Sequence, residues 1–242
     1  MNEFTIYPAI DLRAGEVVRL KQGRAEEQST YSNQPGNIAQ LWQDAGAQWL
    51  HVINLDGAFG ENTTKNQAAL RSILEVCAGY PKVQFGGGMR DMDSIEQALA
   101  LGIARVILGT AAIQSPGFAR SAIEEFGAGR IAFALDAANG ELMTRGWQEK
   151  SGVNLLAFAQ SLADSGAATL IYTDIQKDGM ETGVDWEIAA QLALKTGLET
   201  IASGGVAALE DVENTKAAGL DGVIIGRALY EKNFTLEEAL RC

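Results

Sequence analysis

Two stretches of the chain repeat each other. The run GGMRDMDSIEQALALGIARVILGTAAI begins at Gly87, and GGVAALEDVENTKAAGLDGVIIGRALY begins 117 residues later at Gly204; they align without a gap. Nine of the 27 paired positions are identical, among them Gly87/Gly204, Gly88/Gly205, Gly102/Gly219 and Gly109/Gly226. A second echo lies upstream. Asp11 is followed by Gly15-Glu16, and Asp136 by Gly140-Glu141, an offset of 125 residues. The two halves match in order, so a duplicated fold is indicated. What is copied is glycine and carboxylate, which points to a duplicated ligand site as well.

Between these landmarks, short apolar runs alternate with helical periods. Predicted strands cover Ile6–Asp11, Trp49–Leu55, Lys82–Phe85, Arg105–Leu108, Ile131–Asp136, Thr169–Asp174, Glu199–Ala202 and Gly222–Ile225. Predicted helices cover Asn37–Ala45, Gln67–Cys77, Met92–Leu101, Gly117–Phe126, Leu155–Ser165, Trp186–Lys195, Leu209–Ala218 and Leu236–Leu240. Asp91, Ser115-Pro116 and Asp185 stand where helix starts want a cap or a first-turn proline. Eight strands alternating with eight helices require parallel pairing, because each crossover is a helix. A doubly wound open sheet would satisfy the same alternation, but four β/α units copied once close into an eight-membered ring. The expected fold is therefore an α/β, (β/α)8 TIM barrel with half-barrel duplication. At 242 residues it is close to the usual ~250 for that architecture, and it is read as one domain over 1–242.

Composition narrows the function. The net charge is -12, which argues against a nucleic-acid surface. An anionic small ligand would then need a strong local site, such as backbone N–H groups at helix starts. No apolar run approaches the ~20 residues of a membrane span, and no secretory signal is visible. The two cysteines, Cys77 and Cys242, fit no metal or redox spacing and suggest the cytoplasm. There is one histidine, His51, so histidine-rich metal sites and His-based triads are not expected. His51 itself reads as a buried, hydrogen-bonded structural residue facing opposite to Asn54.

In such a ring, functional residues collect at the C-terminal ends of the strands. Gly87-Gly88 and Gly109-Thr110 follow the third and fourth predicted strands; Ser203-Gly204-Gly205 and Gly226-Arg227 follow the seventh and eighth. Glycines at a strand end before a helix bring backbone N–H groups close to an anion. Strands four apart lie on opposite sides, so two phosphate cradles would face each other across the mouth. Asp11 and Asp136 end the first and fifth strands and would lie between them. Two such carboxylates can divide base and acid roles if their environments separate their pKa values. The first and fifth loops are long, carry Arg19, Arg145 and Trp147, and are candidate lids. Arg19 and Arg145 could pair with an anion, and Trp147 could stack on a flat ring. After the sixth strand, Thr173 to Gly179 offers a hydroxyl, carboxylates and Lys177 in one turn. Turns and caps are the plain alternative for the glycines and aspartates.

The stretches PAIDLRAGEVVRL, WLHVINLDGAFG, GGGMRDMDSIE, GTAAI, LDAANGEL, GWQE, YTDIQKDG, IASGGV and GRALYE together resemble the phosphoribosylformimino-aminoimidazole carboxamide ribotide isomerase family of histidine biosynthesis. The similarity covers essentially the whole chain in order. It implies a half-barrel-duplicated (β/α)8 fold and a ribotide substrate with two phosphates. It also implies a cofactor-free, metal-free Amadori rearrangement of an aminoaldose to an aminoketose. By the same resemblance Asp11 matches the general base and Asp136 the general acid. Thr173 and Asp178 match assisting positions, and Arg19 and Trp147 match substrate contacts. The glycine doublets match the phosphate sites. A soluble monomer is expected, with no nucleic-acid or membrane partner.

There are departures. The second-strand motif commonly reads V-D-L-D-G-A, and here Asn54 replaces the first aspartate, so any charge-dependent role there is lost. Met180 stands where the family usually has threonine. Gly183-Val184-Asp185 replaces Gly-Pro-Asn and leans towards the cyclase subunit of imidazole glycerol phosphate synthase. Two other functions stay open: an isomerase that also accepts phosphoribosylanthranilate, for which Arg145 would matter, and a bisphosphate-binding barrel impaired through Asn54.

Overall fold

A computed structural model describes residues 4–242, with the side chain of Pro116 left aside. Twelve strands form one sheet. In chain order they are β1 (Thr5–Arg13), β2 (Glu16–Lys21), β3 (Arg24–Ser32), β4 (Trp49–Asn54), β5 (Lys82–Gly86), β6 (Arg105–Leu108), β7 (Ile131–Ala138), β8 (Glu141–Thr144), β9 (Glu149–Asn154), β10 (Thr169–Asp174), β11 (Glu199–Ser203) and β12 (Gly222–Ile225). The helices are α1 (Pro35–Asp44), α2 (Leu55–Phe59), α3 (Thr64–Cys77), α4 (Met92–Ala100), α5 (Thr110–Gln114), α6 (Pro116–Phe126), α7 (Leu155–Asp164), α8 (Trp186–Thr196), α9 (Leu209–Ala217), α10 (Arg227–Tyr230) and α11 (Leu236–Ala239).

Eight strands pair in parallel in the order β1-β4-β5-β6-β7-β10-β11-β12, and β12 pairs back onto β1, closing the ring. This is the (β/α)8 barrel read from the sequence. The duplication extends to the backbone. Gly87 and Gly88 have φ of 96° and 85°, and their copies Gly204 and Gly205 have 87° and 92°. Gly109 and Gly226 open the short helices α5 and α10 with nearly the same dihedrals.

Strand alternation sorts the side chains. Along β1, Ile6, Ile10 and Leu12 join the outer core between strands and helices, while Tyr7 and Ala9 point into the barrel. The inner core adds Ile107, Ala132, Ile171, Ile201 and Ile224. Following that period of two to the strand ends puts Asp11, Asp136, Thr173 and Ser203 over the mouth. The register agrees, with Thr173 beside Asp136 and beside Ser203 on the flanking strands.

The first and fifth loops are not irregular lids. Each is a β-hairpin that prolongs a barrel strand: β2–β3 continues from β1, and β8–β9 from β7. Their outer strands are mostly exposed and polar, so they lack the apolar runs that mark the barrel strands. Of the expected caps, Asp91 forms a capping box with Ser94, and Asp185 accepts from Ile188 N. Ser115 makes no side-chain cap; the Pro116 position alone starts α6. No helix among the described residues is long and apolar enough to cross a membrane.

Candidate active site

A large cavity of about 1030 Å³ opens at the C-terminal mouth of the barrel. Asp11, Arg19, Gly87, Gly88, Gly109, Thr110, Asp136, Arg145, Trp147, Thr173, Asp178 and Ser203 all line it. The volume is at the upper end of small-molecule sites, ~300–1,000 Å³, and suits an elongated ligand.

Two clusters organise the mouth. In the first, Arg19 on β2 donates to Asp11 Oδ2 at 2.5 Å and to Asp178. The hairpin is fixed in that position by Gln22, whose N–H donates to Asp178 O (3.2 Å) and whose side chain donates to Gln176 O (2.8 Å). Tyr31 on β3 stacks on Tyr230 at 4.5 Å and donates to Glu231 (2.7 Å). In the second cluster, the Trp147 indole N–H donates to Asp136 Oδ2 at 2.8 Å. Arg145, Gly146 and Trp147 all have positive φ (53°, 62° and 70°), a left-handed turn that folds the indole back over the strand end. The ring packs against Gly23 at the tip of the first hairpin, where a Cβ would come within 2.6 Å of it. The two hairpins therefore meet across the mouth.

Charge balance in the site follows from burial. The guanidinium of Arg19 pairs with Asp11 and Asp178, and Asp11 and Asp136 both act electrostatically on Asp178. Burial, reinforced by those two carboxylates and opposed by Arg19, pushes Asp178 up to about 6. Burial also raises Asp136, while hydrogen bonds from Trp147 and Thr173 oppose the rise. For Arg19, burial works against the charge, but Asp178 and Asp11 outweigh it and keep the guanidinium charged.

The glycine doublets have a steric reason to be glycine apart from any ligand. A Cβ on Gly87 would overlap Asn54 O, and one on Gly205 would lie 2.5 Å from Gly183 O. The first doublet lines the large cavity. The second does not: Gly204, Gly205, Gly226 and Arg227 line a separate recess of about 20 Å³. Arg19, Ser203 and Ile224 line both spaces. The Arg19 guanidinium stacks over Gly226, within 3.1 Å of where a Cβ would be, and so forms part of the wall between them. Arg227 is turned to protein groups, donating to Gly179 O at 2.8 Å and lying 3.7 and 3.6 Å from Glu181 and Glu231. Arg145 lies against Glu149 at 3.0 Å, and its N–H donates to Thr110 Oγ1 at 3.0 Å. Neither guanidinium is unpaired.

Asn54 lies outside the cavity lining. It faces outward, is buried, and caps α2 by accepting from Gly57 N (3.0 Å) and from Asn66 Nδ2 (2.7 Å). Both bonds use the side-chain oxygen, which aspartate also has, so the missing charge is absorbed by a structural position. Asn66 ties the same corner together through Leu12 O (2.8 Å) and Gly15 N (2.7 Å). His51 faces opposite to Asn54 as expected and is buried and hydrogen-bonded, with Nδ1 2.8 Å from Gln84 Nε2. His51 also lines the cavity. Arg90, two residues after Gly88, is a lining cation that the sequence reading missed. The cation closing GGGMR was its only signal. Among the described residues no three His, Cys, Asp or Glu side chains converge as metal ligands.

Comparison with known proteins agrees with this geometry. The family described as "Histidine biosynthesis protein" matches residues 5–235. A protein of Lachnoclostridium phytofermentans is 41% identical over 236 residues, covering 98% of both chains. One from Opitutus terrae is 44% identical over 243 residues, covering 98% of this chain and 97% of its own. A third, from Granulibacter bethesdensis, is 45% identical over 229 residues, 94% and 93% respectively. Each of the three is named 1-(5-phosphoribosyl)-5-((5-phosphoribosylamino)methylideneamino) imidazole-4-carboxamide isomerase.

Proposed function

The chain belongs to the histidine biosynthesis protein family, and from that premise we propose the reaction and its residues. It is an aldose–ketose isomerase that converts the formimino aminoimidazole carboxamide ribotide to its ribulosyl form. One observation carries the assignment of residues: Asp11 and Asp136, on strands four places apart in the ring, both line the cavity that the first glycine turn also lines, with Arg19 separating it from the second.

The acid donates a proton to the furanose ring oxygen as the C1–O bond breaks and the nitrogen lone pair forms the C1=N bond, leaving a protonated imine at C1. The base then removes the C2 proton, giving an enolamine. Return of a proton to C1 and formation of the C2 carbonyl complete the aminoketose, with no net gain or loss of atoms or electrons. Asp11 is the base and Asp136 the acid, with Thr173 orienting Asp136. Asp178 is a second group able to give a proton, since at about 6 roughly a tenth of it is protonated at neutral pH. The two phosphates are held by the turns at Gly87-Gly88 and Gly109-Thr110, and by those at Ser203-Gly204-Gly205 and Gly226-Arg227. Because Arg19 stands between the cavity and the second turn, it swings aside when an elongated ligand enters and then meets the ligand's anionic groups. That movement frees Asp11 from its ion pair. Trp147 closes over the bound molecule, and Arg145 screens charge at the rim.

The test is a steady-state assay with purified protein and the formimino ribotide. Conversion to the ribulosyl product is expected. Tight binding without conversion would sink the assignment, and substantial turnover of phosphoribosylanthranilate would sink the single-substrate reading.

A further inference from the structure

The interior of the barrel below the cavity holds a polar chain that the reaction above does not use. Arg105 on β6 is buried and donates through Nε (3.1 Å) and one Nη (2.6 Å) to Gln84 Oε1 on β5. It is held from the other side by Tyr7 Oη (3.1 Å) and Thr169 Oγ1 (3.3 Å), and it stacks on the Trp49 ring at 4.7 Å. A guanidinium is a donor only and keeps its protons. The amide of Gln84 therefore has one allowed orientation, with its oxygen toward Arg105. Its nitrogen faces His51 Nδ1 at 2.8 Å and can only donate, so Nδ1 must accept.

We infer that Gln84 and Arg105 are positioning residues that fix the tautomer of His51, so that its Nε2–H is a hydrogen-bond donor to the substrate at the cavity floor. The ring stays neutral because burial, Arg19 and Arg105 all disfavour the imidazolium, holding its pKa near 3. A neutral ring that accepts at Nδ1 carries its proton on Nε2. Among the described residues nothing accepts from Nε2, and it is not a sealed orphan; it opens to the cavity that His51 lines. The register pairs His51 with Ala9, and Ile53 with Asp11. His51 is therefore one inward step below the base, under whatever group Asp11 works on. The acceptor it meets is a sugar oxygen or the carboxamide oxygen of the ribotide. That last step rests on the isomerase reading; the tautomer does not.

The chain has a single histidine, so 15N-histidine labelling of the untagged protein gives one imidazole. Long-range 1H–15N correlation of the free protein should show a protonated Nε2 and an unprotonated Nδ1 throughout pH 5–9. An Nδ1–H tautomer, or protonation of the ring near pH 6.5, would overturn the relay whatever the protein converts. Adding the ribotide should shift Nε2, and an unmoved Nε2 would overturn the substrate contact. In Gln84→Glu the carboxylate can pair with Arg105 but cannot donate to Nδ1, so the proton should move to Nδ1. Loss of one neutral hydrogen bond should then lower kcat/KM about tenfold, and an unchanged kcat/KM with a flipped tautomer would refute the contact. If Gln84→Glu does not fold, the wild-type spectrum with and without ribotide decides. A protein with the Nε2–H tautomer that does not convert the ribotide would fail the isomerase reading alone.

Discussion

Replacing Asp178 with asparagine should make this protein more stable and less active. Asp11 and Asp178 share the guanidinium of Arg19 at the mouth, and Asp136 adds a further negative charge acting on Asp178, so the cluster holds more negative charge than Arg19 can neutralise. Burial is the largest cause, and it holds Asp178 at about 6, against 3.8 for an ordinary aspartate. A carboxyl whose folded pKa lies above its unfolded value binds its proton more tightly in the native state. Its stabilising contribution is complete below about 3.8 and is lost as pH rises through about 6. At ~1.36 kcal/mol per unit, ionised Asp178 costs about 3 kcal/mol at pH 7. The side chain is only 7% exposed, so water does little to reduce this. Asparagine has the shape of the protonated carboxyl and cannot ionise. The variant should recover about 1–3 kcal/mol at pH 7 and little at pH 4. With a Tm shift of ~2–4 °C per kcal/mol for a chain of this size, thermal unfolding followed at both pH values should separate the two proteins at pH 7 and bring them together at pH 4. Turnover of the ribotide should fall, because the Arg19 anchor and a proton donor are both lost. An Asp178→Asn protein less stable than wild type at pH 7 would refute the reasoning. It would mean that the ion pair with Arg19 outweighs burial and the neighbouring carboxylates.

Other outcomes follow from the same geometry. Asp11→Asn and Asp136→Asn should each lower kcat by ~10²–10⁴-fold with little loss of ribotide affinity in calorimetry; near-normal kcat in either would remove it from its role. Asn54→Asp keeps the oxygen that caps α2 and lies outside the cavity lining, so kcat/KM should change less than about twofold. A large gain in activity would instead make Asn54 the cause of an impaired site. Gly87→Ala would drive a Cβ into Asn54 O at a φ of 96°, and should cost more than about 3 kcal/mol by urea unfolding. A Gly87→Ala protein as stable as wild type would show that this turn can relax.

The ring was legible in the sequence because its signals are local and periodic. Three barrel strands, Arg105–Leu108, Thr169–Asp174 and Gly222–Ile225, fall where the apolar runs put them. They are buried on both faces, so nothing interrupts the run. The same alternation placed Asp11 and Asp136 over the mouth, and the internal repeat turned a list of β/α units into a closed barrel. The hairpins β2–β3 and β8–β9 were not legible, because their outer strands β3 and β9 are polar and mostly exposed and look like loops until partners are known. Nor were the partners of the charged groups. Arg19 finds Asp178 across 159 residues of chain, and the proton on His51 is set by Gln84 and Arg105 on two other strands. The sequence alone determined which barrel-strand residues face the mouth and the barrel interior, since facing along a strand depends only on parity. Tertiary structure alone decided how those residues are charged, paired and protonated, since that depends on burial and on neighbours that only closure of the ring brings together.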